Sequence, residues 1–409
     1  MGTEGKSPFK KLAEEASLQT QEMALAYKHQ SSELEIGIPK EITYQEKRIP
    51  LTPLSVQQLV NNGNRVVIES KAGEPANFSD LEYSNAGAEI VHHAEDCFKQ
   101  DIILKIDPPT ETEIEYLKPG QTVMSALQLQ NLKPEFIKSM MRKKINLIGY
   151  EFLRDAFNNL PIIRSMSEIA GRASVLVAAE YLSNSFHGKG ELLGGIPGIQ
   201  PTKIVIIGAG AVSEYAVRAA MALGASVQVF DNSLHRLRRL ETNIGQRIPS
   251  STIMPHTLGK ALKSCDVAIG ALRSAAGRSP CVVNEEMVSK MKPKSLIIDI
   301  SIDQGGCFET SEMTNHEKPV FEKHGVIHYC VPNIASRVSR TASYALSNIF
   351  TPILLEMSER GGLHSYLYDD EGFRSGAVIY KGFLTNHSIG ERFNMTVKEI
   401  AFLLAGLNK

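Results

Sequence analysis

One stretch constrains the fold more than any other. The apolar run Lys203-Ile204-Val205-Ile206-Ile207 leads directly into Gly208-Ala209-Gly210-Ala211-Val212-Ser213, and a helical pattern follows. A strand that turns on a glycine and opens a helix is the entry to a doubly wound α/β domain. Gly208 makes the tight turn. Gly210, without a side chain, lets a pyrophosphate reach the backbone and the helix N-terminus. Ser213 stands where a third glycine usually lets helix and strand pack closely, a small departure. Asp231, in Phe230-Asp231-Asn232, ends the next strand, where a carboxylate accepts ribose hydroxyls. An acid there repels a 2′-phosphate, so NAD is expected as the cofactor over NADP. Arg236, Arg238 and Arg239 lie close by, and Arg236 is counted with the nucleotide site.

The alternation continues on both sides. Strands are expected at 203–208, 226–230, 266–270, 295–300 and 326–331, with helices near 212–223, 233–243, 257–264 and 284–291. An earlier series begins at Ile36-Gly37-Ile38-Pro39 and continues at 65–69, 101–106, 122–125 and 146–151. Short apolar runs separated by helices indicate parallel sheets covered on both faces. Ser165-Met166-Ser167-Glu168 reads as a capping box at the start of a long helix. A second long helix, about Thr341 to Glu359, stops at Gly361-Gly362. These helices can carry the chain between two domains. The residues after about 340 are too few for a domain of their own and are expected to rejoin the first. The expected division is an N-terminal extension over 1–33, a discontinuous domain over 34–161 and 340–409, and a nucleotide domain over 162–339.

Composition narrows the class. The chain has 409 residues, 43% hydrophobic and 22% charged, a globular balance. Its formal net charge of −1 gives no global pull towards nucleic acid or an anionic membrane. No apolar stretch approaches a membrane span. The five cysteines are widely spaced without a C-x-x-C, which argues against a disulfide framework or a zinc site and for a cytoplasmic protein; no metal is expected.

Several motifs together carry a family resemblance: Ile38-Pro39-Lys40-Glu41 with Lys47-Arg48-Ile49 and Leu51-Thr52-Pro53; Met166-Ser167-Glu168-Ile169-Ala170-Gly171-Arg172; Leu193-Gly194-Gly195-Ile196-Pro197-Gly198; Asp299-Ile300-Ser301-Ile302-Asp303-Gln304-Gly305-Gly306-Cys307-Phe308-Glu309; and His328-Tyr329-Cys330-Val331-Pro332-Asn333. Over most of 34–360 the chain resembles the alanine dehydrogenases, in the superfamily that includes the NAD-binding α subunit of transhydrogenase. The resemblance implies two Rossmann-like domains around a cleft, with the nucleotide domain inserted into the other. It implies NAD-dependent oxidative deamination of L-alanine to pyruvate and ammonia, and a homo-oligomer, dimer or hexamer. It places Arg48 on the substrate carboxylate, Asp303 in catalysis, Asn333 on the nicotinamide and substrate side, and Ser167 near the cofactor.

Two positions depart from the family. Its substrate-binding lysine follows another lysine by two residues; here Lys105-Ile106-Asp107 keeps the first and puts Asp107 at the second. Its catalytic histidine is replaced by Gln128, which hydrogen-bonds but does not exchange protons near neutral pH. Lys105 is expected to share a strand face with 107 and could reach the open place, or Asp107 could meet a cationic substrate group. His92, His93 or His328 could supply a base. Two alternatives stay open: a relative acting on another amino acid, and an NAD-binding sensor or subunit without turnover.

Overall fold

The computed structural model describes residues 32–273 and 278–405. The extension expected over 1–33 lies outside the described residues, apart from Ser32 and Glu33. From the N-terminal side the elements are β1 (Glu35–Ile38), α1 (Pro53–Asn61), β2 (Arg65–Glu69), β3 (Glu89–Val91), β4 (Ile102–Leu104), α2 (Glu111–Tyr116), β5 (Thr122–Ser125) and β6 (Asn146–Gly149). The long helix α3 (Pro161–Leu182) then leads to β7 (Lys203–Ile207), α4 (Ala211–Ala222), β8 (Ser226–Phe230), β9 (Ser250–Ser251), β10 (Val267–Gly270), β11 (Leu296–Asp299), β12 (Val320–Lys323) and β13 (Val326–Tyr329). A second long helix, α5 (Ser339–Glu359), returns the chain to β14 (Ala377–Tyr380) and β15 (Phe383–Leu384).

These strands form two sheets. The first is eight-stranded, β15-β14-β6-β5-β4-β1-β2-β3; the second is seven-stranded, β12-β13-β11-β10-β7-β8-β9. Both are parallel except where β14 runs against β6, β15 against β14, and β12 against β13. The chain therefore leaves the first sheet after β6, builds the whole second sheet, and returns to add β14 at the edge of β6. This is an α/β fold of two doubly wound units, one inserted in the other.

Residue parity shows why the strands are apolar throughout. Ile36, Ile38, Val66, Ile68, Met124 and Ile148 pack in one core with Leu346, Phe350 and Leu354 of α5. Their alternates Ile103, Val123 and Leu147 pack in another on the opposite face. The second sheet divides likewise, Ile204 and Ile206 on one side and Val205 and Ile207 on the other. Successive strand side chains point to opposite faces, so a sheet buried on both requires uninterrupted hydrophobicity.

Two local expectations are corrected. Helix α3 does not begin at a capping box at Ser165. It begins with Pro161 in its first turn, behind Leu160, which makes no side-chain cap. Proline's fixed φ suits that position and needs no N–H partner. Ser165 Oγ instead donates to the Pro161 carbonyl (2.9 Å), and Glu168 pairs with Arg164 (3.1 Å). Strand β4 stops at Leu104, so Lys105 and Asp107 do not lie on a regular strand.

Candidate active site

Loops at the carboxyl ends of β1 and β13 meet, as expected for a ligand crevice between such sheets. Asn333, in a left-handed conformation at φ 54°, donates from Nδ2 to Glu46 Oε2 at 2.7 Å. Ser336 Oγ donates to the Gln45 carbonyl (2.9 Å) and accepts from Lys47 N (3.0 Å). The two units are thus joined directly beside Arg48.

Glu46 grips Arg48 along one edge of the guanidinium, with Nε at 2.8 Å and Nη2 at 2.6 Å. The Glu46 side chain is 1% exposed and that of Arg48 12%. Burial alone would raise the Glu46 carboxyl, but the Arg48 charge and its hydrogen bonds outweigh it and hold the group below its ordinary value. Among the described residues Arg48 Nη1 reaches only Met166 Sδ, at 3.4 Å. A thioether is a weak acceptor, so this edge of the fork remains available to a carboxylate. Ser167, next to Met166, is half-buried on α3.

The expectation that Lys105 could reach the place left by position 107 is not met. Its Nζ is bound to Glu113 of α2 (2.6 Å) and faces Glu41 (3.5 Å), and its side chain is 1% exposed. A buried ammonium needs such partners. Burial pushes the Glu41 carboxyl up to about 7, although Lys105 opposes the shift. Asp107 is buried, and its Oδ1 accepts from Gln128 Nε2 at 2.5 Å. Gln128 takes a positive φ of 47° in the loop after β5. Burial raises the Asp107 carboxyl, with Glu46 adding to the rise and Arg48 opposing it. The two departures from the family pattern are therefore a bonded pair.

Asp303 lies in a short helical turn, Ile302–Gln304, after β11. Its side chain opens to solvent while protein atoms crowd around it; that crowding raises its carboxyl, and Arg273 opposes the rise. The loop is held by Asp299, whose Oδ2 accepts from Cys307 N (2.9 Å) and Ser311 Oγ (2.8 Å). Glu151, after β6, was not foreseen. Its Oε1 accepts from Leu127 N at 2.8 Å, while its buried Oε2 has no partner. Burial pushes this carboxyl to about 7.

None of the three histidines gains support as a base. His328 is buried, its Nδ1 bound to the Val326 carbonyl (2.9 Å) and its Nε2 to Thr310 Oγ1 (2.8 Å). Burial lowers it to about 4. His92 and His93 are exposed residues after the edge strand β3.

The nucleotide side follows the glycine turn. A Cβ on Gly208 would meet the Ala271 carbonyl at 2.5 Å, and φ there is 115°. A Cβ on Gly210 would meet nothing within 4 Å, so the space above the N-terminus of α4 is open to a ligand. Asp231 braces this turn, accepting from Ala209 N (2.8 Å) and Ser233 N (2.7 Å), with Arg236 Nη1 at 3.9 Å. Each carboxylate oxygen keeps a second lone pair for a ribose hydroxyl. Ser213 is fully buried, its Oγ unpartnered. Beside it, α3 packs so closely on α4 that a Cβ on Gly171 would lie 2.2 Å from the Val212 carbonyl.

Sequence reasoning missed Glu46, Glu151, Asp299 and Arg273. Glu46 had a signal, two residues before Arg48 in the same motif. Asp299 opens the quoted Asp299–Glu309 motif. Glu151 and Arg273 follow strands β6 and β10, which is the general signal for cleft residues in this fold.

Comparison with known proteins identifies the family. The family model "Alanine dehydrogenase/PNT, N-terminal domain" matches residues 37–170, and "Alanine dehydrogenase/PNT, C-terminal domain" matches 174–387. An alanine dehydrogenase of Mycolicibacterium smegmatis is 36% identical over 371 residues, 90% of this chain and 100% of that protein. One of Methanococcus maripaludis is 40% identical over 80% of this chain and 88% of its own. A solved L-alanine dehydrogenase superposes with a TM-score of 0.82 at 36% identity, covering 88% of this chain and 99% of that one. The chain belongs to the alanine dehydrogenase/PNT family.

Proposed function

We propose that the protein oxidatively deaminates L-alanine to pyruvate and ammonia with NAD. The observation that carries this is the Glu46-held Arg48, which presents one free guanidinium edge where the carboxyl ends of the two sheets meet. A planar fork fixes a carboxylate in one orientation. Asn333 ties this anchor to the nucleotide unit, so substrate and cofactor are positioned by one hydrogen-bonded chain.

The open space over Gly210 and the Asp231 carboxylate fit a dinucleotide, with Gly208, Ser213 and Ser167 shaping its walls and Arg236 at the rim. A nicotinamide held there would supply the acceptor for the hydride of the α-carbon. Asp303 takes the proton of the water that adds to the imine carbon; its raised affinity for protons suits that exchange. Gln128 and Asp107 hold the amino group through hydrogen bonds and charge, and Lys105 steadies the Glu41 and Glu113 side chains beneath them. The domains divide as 34–161 with 340–409, and 162–339. We place the protein in the cytoplasm as a homo-oligomer of dimeric or hexameric form.

The test is NADH formation from a panel of amino acids, with NAD and NADP compared in calorimetry. L-Alanine should be oxidised fastest, and NAD should bind more tightly. Preference for another amino acid corrects the substrate, tighter NADP binding corrects the ribose assignment, and NAD binding without turnover makes the protein a nucleotide sensor.

A further inference from the structure

The cations around the cleft differ in how their donors are spent. Lys105 is consumed by Glu113 and Glu41. Arg48 has committed Nε and Nη2 to Glu46. Arg273 alone of these three makes no hydrogen bond or ion pair among the described residues, and its side chain is exposed. It follows β10 by a few residues, and Ala271 of the same segment abuts Gly208 of the nucleotide turn. Asp303 follows β11, the neighbour of β10, and Glu151 follows β6 of the other sheet, and the Arg273 charge acts to lower both carboxyls. Neither carboxylate lies within ion-pair distance of it, and Glu151 Oε2 is buried without a partner. A guanidinium that acts on two acids yet is bonded to neither has donors left for a ligand oxygen.

We infer that Arg273 is a second substrate-facing cation, a catalytic residue that donates hydrogen bonds to the oxygen added to the α-carbon during imine hydration and retained as the carbonyl of pyruvate. This rests on the deaminase reading above. In the step, the water oxygen forms a bond to the imine carbon and a water proton passes to the Asp303 carboxylate. Asp303 then gives that proton to the nitrogen, the C–N bond breaks so that ammonia leaves with its electron pair, and the hydroxyl proton returns to the Asp303 carboxylate. Arg273 transfers no proton; it stabilises negative charge on that oxygen as it develops. Asp107 cannot serve this oxygen, since a carboxylate would repel it.

The test compares wild type with Arg273→Met and Arg273→Lys. Arg273→Met should lower kcat for alanine by about 100-fold or more, the usual loss for one such donor. NAD affinity should hold, and KM for alanine should move little because Arg48 still binds the carboxylate. Arg273→Lys should restore part of the rate. Binding to the NADH complex gives a second readout. Oxamate, which carries a carbonyl oxygen, should bind Arg273→Met at least about tenfold more weakly, the value of a charged hydrogen bond. Propionate, which lacks that oxygen, should bind as before. An active wild type whose Arg273→Met variant keeps its rate overturns this inference alone. So does an equal loss for oxamate and propionate, or a loss confined to NAD binding. A wild type that forms no NADH from alanine overturns the deaminase reading, and this inference with it.

Discussion

Arg48→Lys tests the substrate anchor most directly. Glu46 occupies Nε and Nη2 of Arg48 at 2.8 and 2.6 Å, and the third nitrogen faces only the Met166 thioether. A lysine has one ammonium. It can remain paired with buried Glu46 or turn to the substrate, but it cannot hold a fork on both. The replacement therefore removes about one charged hydrogen bond to the substrate carboxylate, worth roughly 1.5 to 3 kcal/mol. That corresponds to a fall in kcat/KM for alanine of roughly ten- to 150-fold. Lysine is the better probe than alanine, because Arg48→Ala would strand a carboxylate 1% exposed, at a cost of about 3 to 5 kcal/mol to the fold. Steady-state NADH formation measures kcat/KM, calorimetry measures NAD affinity, and thermal unfolding checks that the protein stays folded. Unchanged kcat/KM in a folded variant would show that Arg48 serves only to pair Glu46. An equal loss of NAD affinity would place it on the cofactor.

Asp303→Asn should lower alanine oxidation by about 10² to 10⁴-fold, the range of general acid–base assistance, while calorimetry still finds NAD bound. Glu41 and Glu151 both stand near 7 in the folded protein against 4.5 when solvated, so the folded state holds more protons between those values. Their contribution to stability is complete below the unfolded value and is lost as pH rises through about 7. Denaturant melts at a series of pH values should show this decline, flattened in Glu41→Gln and Glu151→Gln; identical slopes in all three proteins would refute it. Gly171→Ala should cost about 1 to 3 kcal/mol, read as a lower Tm, because its methyl would meet the Val212 carbonyl at 2.2 Å.

What could be read from the sequence follows from what each residue's neighbours are. The central strands of the second sheet were legible because they are buried on both faces and so are mostly apolar: 266–270 was expected and Val267–Gly270 is found, buried at every position. The return of the chain after α5 was legible because the C-terminal segment is too short to fold alone, and β14 duly pairs with β6. Short edge strands such as β9 and β12 carry too few apolar residues to announce themselves. Ser165 misled because a capping box and an ordinary helix interior share the same letters; only Pro161, four residues earlier, marks the true start. Lys105 misled for a different reason. Its partner Glu113 lies in another element, and nothing in the spacing says that a lysine at the end of a strand turns inward. Glu151 and Arg273 belong to this same class, since their meaning depends on which two sheets face each other.

The pairing of Gln128 with Asp107 accounts for the two departures occurring in one chain. Asp107 is 4% exposed, and its Oδ1 is met by the Gln128 amide. An acid so placed needs donors, and Gln128 supplies one beside the Thr43 side chain. A glutamine supplies that donor without adding charge. A histidine at the same place would be drawn towards protonation by the adjacent carboxylate, leaving a salt bridge and no free base. A lysine at 107 would in turn lose the amide N–H as a partner and could use only the glutamine oxygen. Each of the two residues therefore suits the other better than it suits the histidine–lysine arrangement of the family. With histidine and lysine both absent at these positions, the proposed mechanism assigns proton transfer to Asp303 and the positive charge to Arg273, both on the nucleotide unit.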